Sequence, residues 1–262
     1  VNLAWRWLAA SALLLLALPA CFGGPDDPIE YVHEGAIVLL QLQEVPDGVD
    51  TRRSVPRLTL YGDGTFIFVD ADGALMQATL PDGDVEGLLE SIVDAGFLDF
   101  DYDQPLPDSA DPEPVTYLYV QTRDGANAVK ARGLGSAEDV AGDEFAEYRK
   151  MRDVRDDLLA FVPPEAEPFA ADTALIWASP AEVSSSAPLW PHEGIDLGLV
   201  DALAQEAADG SAVLLRGEEG SDIAGSSVLN ALYRQDGQTY RVSFRPLLPN
   251  ENAFPEFDSL GP

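Results

Sequence analysis

The residues best able to do chemistry in this chain are acidic and lie close together. Asp99, Asp101 and Asp103 alternate along the sequence, and Asp108, Asp111 and Glu113 follow. Calcium takes about six to eight oxygen ligands from flexible segments, so this stretch is a candidate calcium site. Its spacing is not that of an EF-hand. Counted from Asp99, the sixth position is Gln104 rather than Gly, and the twelfth is Ala110 rather than Glu. The same alternation also suits an ordinary extended segment, with Phe100 and Tyr102 turned to a core and the aspartates to water.

Other chemistries find less support. His33 and His192 are the only imidazoles, and Cys21 is the only thiol, which excludes a multi-His or CxxC metal site and an intramolecular disulfide. No G-x-S-x-G or S-x-x-K pattern occurs, so a serine nucleophile has no base at the expected spacing. Close carboxylate pairs could run glycoside hydrolysis, but in so acidic a chain they arise by chance. Gly133-Leu134-Gly135 resembles the start of a phosphate loop, yet Glu138 stands where a third glycine belongs. The spacing of Arg149 to Asp153 and of Arg152 to Asp156 predicts surface ion pairs on a helix. Arg241 and Arg245 share the polar face of a strand, where the chain's own acids are the expected partners. Trp177 sits in an apolar strand and reads as core. Trp190, in a loop between Leu189 and Pro191, is the candidate for a partner-binding contact.

Charge narrows the partners. The 262 residues carry 46 acidic and 15 basic side chains, a net charge of −31. Such a chain repels phosphate backbones, so no nucleic-acid partner is expected, nor a polybasic grip on anionic lipid.

The first twenty residues read as an export signal. Arg6 gives a positive n-region, and residues 8–18 are an apolar run broken only by Ser11. As a helix these eleven residues reach about 16 Å, well short of a bilayer core of about 30 Å. The run ends in Leu18-Pro19-Ala20-Cys21, which resembles the lipobox of bacterial lipoproteins. That resemblance implies a diacylglycerol on the Cys21 sulfur and cleavage just before it. Two or more acyl chains would anchor the protein stably, as one alone does not. The anchor is expected on the outer face of the cytoplasmic membrane, or in an outer membrane if one is present; where there are two membranes, Phe22 in place of Asp after the cysteine implies retention on the inner one. Gly23, Gly24, Pro25 and Pro28 make residues 21–30 a tether.

The elements that must position any site follow from periodicity. Strands are expected over 36–43, 58–61, 65–69, 75–80, 115–122, 126–132, 174–178, 212–216 and 239–245. The turn at Gly62-Asp63-Gly64 calls for positive φ, which glycine supplies. A helix capped by Asp82 runs to about Ala95. A capping box of Ser136 and Asp139 opens a long helix to about Phe161, its apolar line being Phe145, Tyr148, Met151, Leu158 and Val162. Asp196 caps a third helix, and Asp222 a fourth through Val228, Leu229 and Leu232. Residues 165–168 read as a linker. Hairpins with helices at their ends predict an α+β fold of two small domains, 31–163 and 169–250, with mainly antiparallel sheets and a tail over 251–262.

Four stretches together resemble an uncharacterised family of bacterial lipoproteins from high-GC genomes. They are Pro56-Arg57-Leu58-Thr59-Leu60-Tyr61-Gly62-Asp63-Gly64-Thr65, the run 88–96, Leu189-Trp190-Pro191, and Arg245-Pro246-Leu247-Leu248-Pro249-Asn250-Glu251. The resemblance implies export and a two-part body, and it assigns no catalytic residue. The expectation is a lipid-anchored, non-catalytic binding or structural module, its partner an envelope protein or small ligand. The alternatives are an extracellular carboxylate-based hydrolase and a calcium-binding adhesion or sensing module.

Overall fold

Alternating apolar and polar residues set the first sheet. A computed structural model describes residues 29–35, 37–107, 114–135, 140–163, 165–206, 212–225, 227–249 and 251. Strands β1 (Val38–Val45), β2 (Leu58–Tyr61), β3 (Thr65–Val69) and β4 (Leu75–Thr79) precede helix α1 (Asp82–Asp94). Strands β5 (Val115–Gln121) and β6 (Ala126–Arg132), helix α2 (Ala146–Ala160) and a two-residue strand β7 (Glu167–Pro168) follow. They form an antiparallel sheet in the order β6-β5-β1-β2-β3-β4-β7.

One face of this sheet presents Leu40, Leu42, Leu58, Leu60, Phe66, Leu118 and Val120 to the two helices. Helix α1 answers with Val85, Leu89 and Ile92, and α2 with Tyr148, Met151, Val154 and Leu158. Each set follows the three-to-four spacing that puts side chains on one helical face. Glu44, on the rim of this core, accepts from Arg155 Nε and Nη2 at 2.8 and 2.7 Å. Burial works to lower the Arg155 pKa, but the Glu44 bond and charge outweigh it and hold the guanidinium above its ordinary value. The opposite face carries Val38, Val45, Tyr61, Ile67, Val115, Tyr117 and Tyr119, and Leu248 from the far end of the chain packs among them.

The second sheet is built from β8 (Thr173–Pro180), β9 (Val213–Arg216), β10 (Val228–Gln235) and β11 (Gln238–Pro246) in the order β10-β11-β8-β9. Helices α3 (Leu197–Glu206) and α4 (Gly217–Ala224) cover one face of it, over Ala174, Ile176, Val242 and Phe244. Asp196 caps α3, its carboxylate accepting from Gly198 and Leu199 backbone N–H at 2.8 and 3.1 Å. The fold is α+β with antiparallel sheets, as the strand grouping predicts.

Several elements differ from the sequence reading. Helix α2 begins at Ala146, after a 3-10 turn over Asp143–Phe145, and the proposed box at Ser136 and Asp139 lies outside the described residues. Val162 lies beyond the helix end and is exposed, and Val154 takes its place in the core. Asp82 is the first helical residue rather than the cap, which is Pro81; its charge still faces the positive end of α1. Asp222 lies inside α4, and Val228–Gln235 is a strand instead of a helix. The Asp236-Gly237 turn has φ of 52° and 81°, the paired positive values of a tight hairpin, and such a turn pairs the strands on both sides. The linker adds to the first sheet as β7, with Pro168 opposite Met76. Arg149 donates to the Val140 and Gly142 carbonyls, and Arg152 bonds Asp153, so neither expected i,i+4 pair forms.

The buried phenols give a pH prediction. Burial, then the Asp82 carboxylate 3.3 Å away, push Tyr31 up to about 12, and burial also raises Tyr61, Tyr119, Tyr148 and Tyr240. A phenol raised in the folded state stabilises fully below its unfolded value, near 10, and that contribution is lost as pH climbs through the folded value. Stability should therefore fall above about pH 10. An alkaline absorbance titration of the folded protein should show these five of the eight tyrosines ionising late. All eight ionising together near pH 10 would contradict this packing.

Candidate functional site

The acidic stretch is held along the edge of the first sheet. Gly96, at φ 85°, turns the chain from α1 into a 3-10 turn over Phe97–Asp99. Phe97 and Phe100 are buried, and Asn127 Nδ2 donates to both their carbonyls, at 2.8 and 3.0 Å. Gln104 N–H donates to the Lys130 carbonyl, and Lys130 N–H to that of Tyr102. Buried Gln104 also donates through Nε2 to the Asp101 carbonyl and to Glu147. The segment is thus extended beside β6, with Asp99, Asp101 and Asp103 exposed on its outer side. The carbonyls of Phe97, Phe100, Asp101 and Tyr102 already accept from the protein. Asp108, Asp111 and Glu113 lie outside the described residues. Among the described residues, no three His, Cys, Asp or Glu side chains come together as metal ligands.

Trp190 is not an exposed anchor. It is only 7% exposed and belongs to the core of the second sheet, with Nε1 donating to the Ile195 carbonyl at 3.1 Å. Its ring meets Tyr233 and Phe244 edge-on, with centroids 5.0 and 5.9 Å away. Leu189, beside it, is 70% exposed and pairs in a bridge with Arg234. His192 packs on Trp190 and lies 3.4 Å from Asp222, and no described serine hydroxyl bonds to it. His33 is exposed beside Tyr31. Between α1 and α2 lies a groove of about 190 Å³, whose lining includes Leu88, Ser91, Val154 and Phe161, with Asp157 its one titratable group. Cys21 lies outside the described residues.

The two sheets join through a cluster of charged, aromatic and backbone groups. Arg245, at the end of β11, is 3% exposed and forms an ion pair with Glu251. Its Nε donates to the Arg52 carbonyl and its Nη1 to that of Pro246. Arg52 belongs to a 3-10 turn over Thr51–Arg53, which Gln43 Nε2 fastens to β1 through the Thr51 and Ser54 carbonyls at 2.7 and 2.8 Å. Tyr61 donates to the Pro249 carbonyl at 3.0 Å. The next side chain of the turn, Arg53, lies over Trp177, with the guanidinium carbon 5.7 Å from the ring centroid.

Comparison with family models, curated proteins and solved structures returns no match. Trp177 is 5% exposed and lies on the face of β8 away from α3 and α4. Both its Nε1 and the Nε of Arg53 are buried without a hydrogen-bond partner. On the same face of β11, register places Ser243 opposite Trp177, and Arg241 opposite Ser179. Arg241 is exposed. The junction thus holds two buried donors, Arg53 Nε and Trp177 Nε1, without hydrogen-bond partners.

Only parts of this are legible in the sequence. Trp177 is buried, as its apolar strand implies, but on the sheet face away from the helices. The signal was there: Ala174, Ile176 and Ala178 alternate with Leu175, Trp177 and Ser179. Arg245 does meet one of the chain's own acids, but Glu251 follows it in sequence instead of facing it from another strand. Nothing in the sequence pairs Arg53 with β8.

Proposed function

We propose that this chain is an exported lipoprotein, anchored through lipid on Cys21 to the outer face of the cytoplasmic membrane, and that its body is a non-catalytic binding or structural module. The observation that carries this reading is the position of the sole cysteine, directly after an apolar run and within Leu18-Pro19-Ala20-Cys21. Residues 21–30, with Gly23, Gly24, Pro25 and Pro28, supply a tether between the anchor and the body. The binding role draws on the junction, where a cationic side chain and an indole N–H stand without acceptors.

The test is metabolic labelling with a tagged fatty acid in a bacterial host. The full chain should take up label and sediment with membranes. Cys21→Ala should lose all label and retain the leader. Equal labelling of the two proteins would overturn the anchor. Label-free wild-type protein in the medium would replace the lipoprotein reading with a plain cleavable signal.

A further inference from the structure

We propose that the junction is a binding site for a small oxyanion, a carboxylate or a phosphate, gripped by Arg53, Trp177 and Arg241. The proposal names a ligand class for the binding module and does not depend on lipidation of Cys21.

Buried polar atoms in folded proteins almost always have partners, so an orphan needs an explanation. Here two orphans lie close together. Trp177 Nε1 and Arg53 Nε are both buried and unbonded, and the Arg53 guanidinium lies over the Trp177 ring. Both groups only donate, so whatever completes them must accept. Arg53 also has no carboxylate within ion-pair distance among the described residues, in a chain where acids outnumber bases 46 to 15. Of its neighbours, Arg52 pairs with Asp50 and Arg245 with Glu251, while Arg57 Nε lies 3.7 Å from Glu44 without a hydrogen bond. Asp50 acts on Arg53 only from beyond ion-pair distance, so among the described residues Arg53 has no carboxylate partner in direct contact.

Sheet register brings a second free cation. Arg241 lies on the same face as Trp177, diagonally across the β8–β11 pair, and it is exposed with no ion-pair partner among the described residues. Diagonal neighbours on one sheet face lie about 7 Å apart, within reach of a long side chain. Arg245, the other diagonal neighbour, is neutralised by Glu251 and fixes the turn that carries Arg53.

The orphaned atoms do not touch solvent, so the ligand must displace something. Arg53 is only half-buried, and swinging its guanidinium outward is a rotamer change that leaves the 3-10 turn in place. An oxyanion entering behind it accepts from the indole N–H on the inside and from Arg53 on the outside. Arg241 closes the rim. Charge-assisted bonds of this kind are about twice as strong as neutral ones, and neutral solutes gain no such advantage.

The experiment is calorimetric titration of the full chain in detergent with inorganic phosphate and, separately, with malonate, at ionic strength fixed by sodium chloride. Saturable one-site binding of either probe is expected, and the better probe identifies the oxyanion. Trp177→Phe keeps the ring and deletes the N–H, and should weaken binding about tenfold. Arg53→Gln should do the same. Arg241→Gln, at the rim, should weaken it about threefold. Arg123→Gln, a surface control paired with Glu30, should leave it unchanged. Circular dichroism on each variant confirms folding, and Arg53→Gln stands in should Trp177→Phe fail to fold. Absence of saturable heat with both probes would overturn the proposal and leave the orphans to water. So would binding that falls equally in Arg123→Gln.

Discussion

Replacing Gly62 by alanine should cost on the order of 4 kcal/mol, from overpacking against backbone together with loosening of a buried aromatic ring. A Cβ at Gly62 would stand 2.0 Å from the Val32 carbonyl oxygen and 2.7 and 2.8 Å from the Glu34 oxygen and nitrogen. These are backbone atoms, so no side-chain rotation relieves the clash. The segment over 31–35 would have to lift away. That segment places Tyr31 in the main core and ties it to Asp82 at the start of α1, while Gly62 N–H donates to the Ile37 carbonyl at 2.9 Å. For a body of this size, 4 kcal/mol lowers the melting temperature by roughly 8–16 °C. Gly125→Ala is the matched control, since nothing stands within 4 Å of a Cβ there and its φ is not positive. Thermal melts of the two variants decide the matter. If both melt with the wild type, the segment does not cross Gly62 as described.

Gly62 also shows where the sequence was readable and where it was not. A Gly-Asp-Gly turn between two apolar runs marks a hairpin, and the hairpin is present. The reason for the glycines divides between them. Both face remote backbone, Gly64 the Leu80 carbonyl and Gly62 the segment over 31–35, but only Gly64, at φ 82°, is also required by the turn itself. Local conformational demand leaves a mark in local sequence, and close approach of remote backbone does not. Strand β10 is a different case: Val228, Leu229 and Leu232 have helical spacing, but the adjacent Asp236-Gly237 turn, itself a local signal, pairs them with β11. Approach of remote groups also accounts for Trp190. A tryptophan between Leu189 and Pro191 reads as a loop residue, and it is one, but the loop folds back so that Tyr233 and Phe244 enclose the ring. In the acidic segment, Phe100 and Tyr102 do turn inward while Asp99, Asp101 and Asp103 face water. That alternation is a local property, and it was legible. The junction is the least legible part, because Arg53 and Trp177 come from separate stretches and meet only through one 3-10 turn, with Arg241 placed on the same sheet face by register.

The junction itself should prove sensitive to a single charge. Glu251→Gln should cost about 3 kcal/mol, the lower end for removing one partner of a buried ion pair. Arg245 is 3% exposed, so its guanidinium cannot turn to water when the carboxylate is lost. The Arg52 and Pro246 carbonyls would remain as acceptors, and neither carries the countercharge. Glutamine keeps an acceptor for the Leu248 N–H, which donates to Glu251 Oε2 at 2.8 Å, so the loss reports charge more than shape. A melting temperature lower by roughly 6–12 °C is expected. Arg245→Met combined with Glu251→Gln should recover much of this, because the second change removes the stranded charge. Asp50→Asn, at a pair whose side chains are 50% and 32% exposed, should cost well under about 1 kcal/mol. A Glu251→Gln protein as stable as the Asp50→Asn protein would mean that the pair does not hold the sheets together. The variant bears on binding as well. Arg245 holds the carbonyl of Arg52, the residue next to Arg53, so loosening the turn should weaken phosphate or malonate even though Glu251 makes no contact with the bound oxyanion.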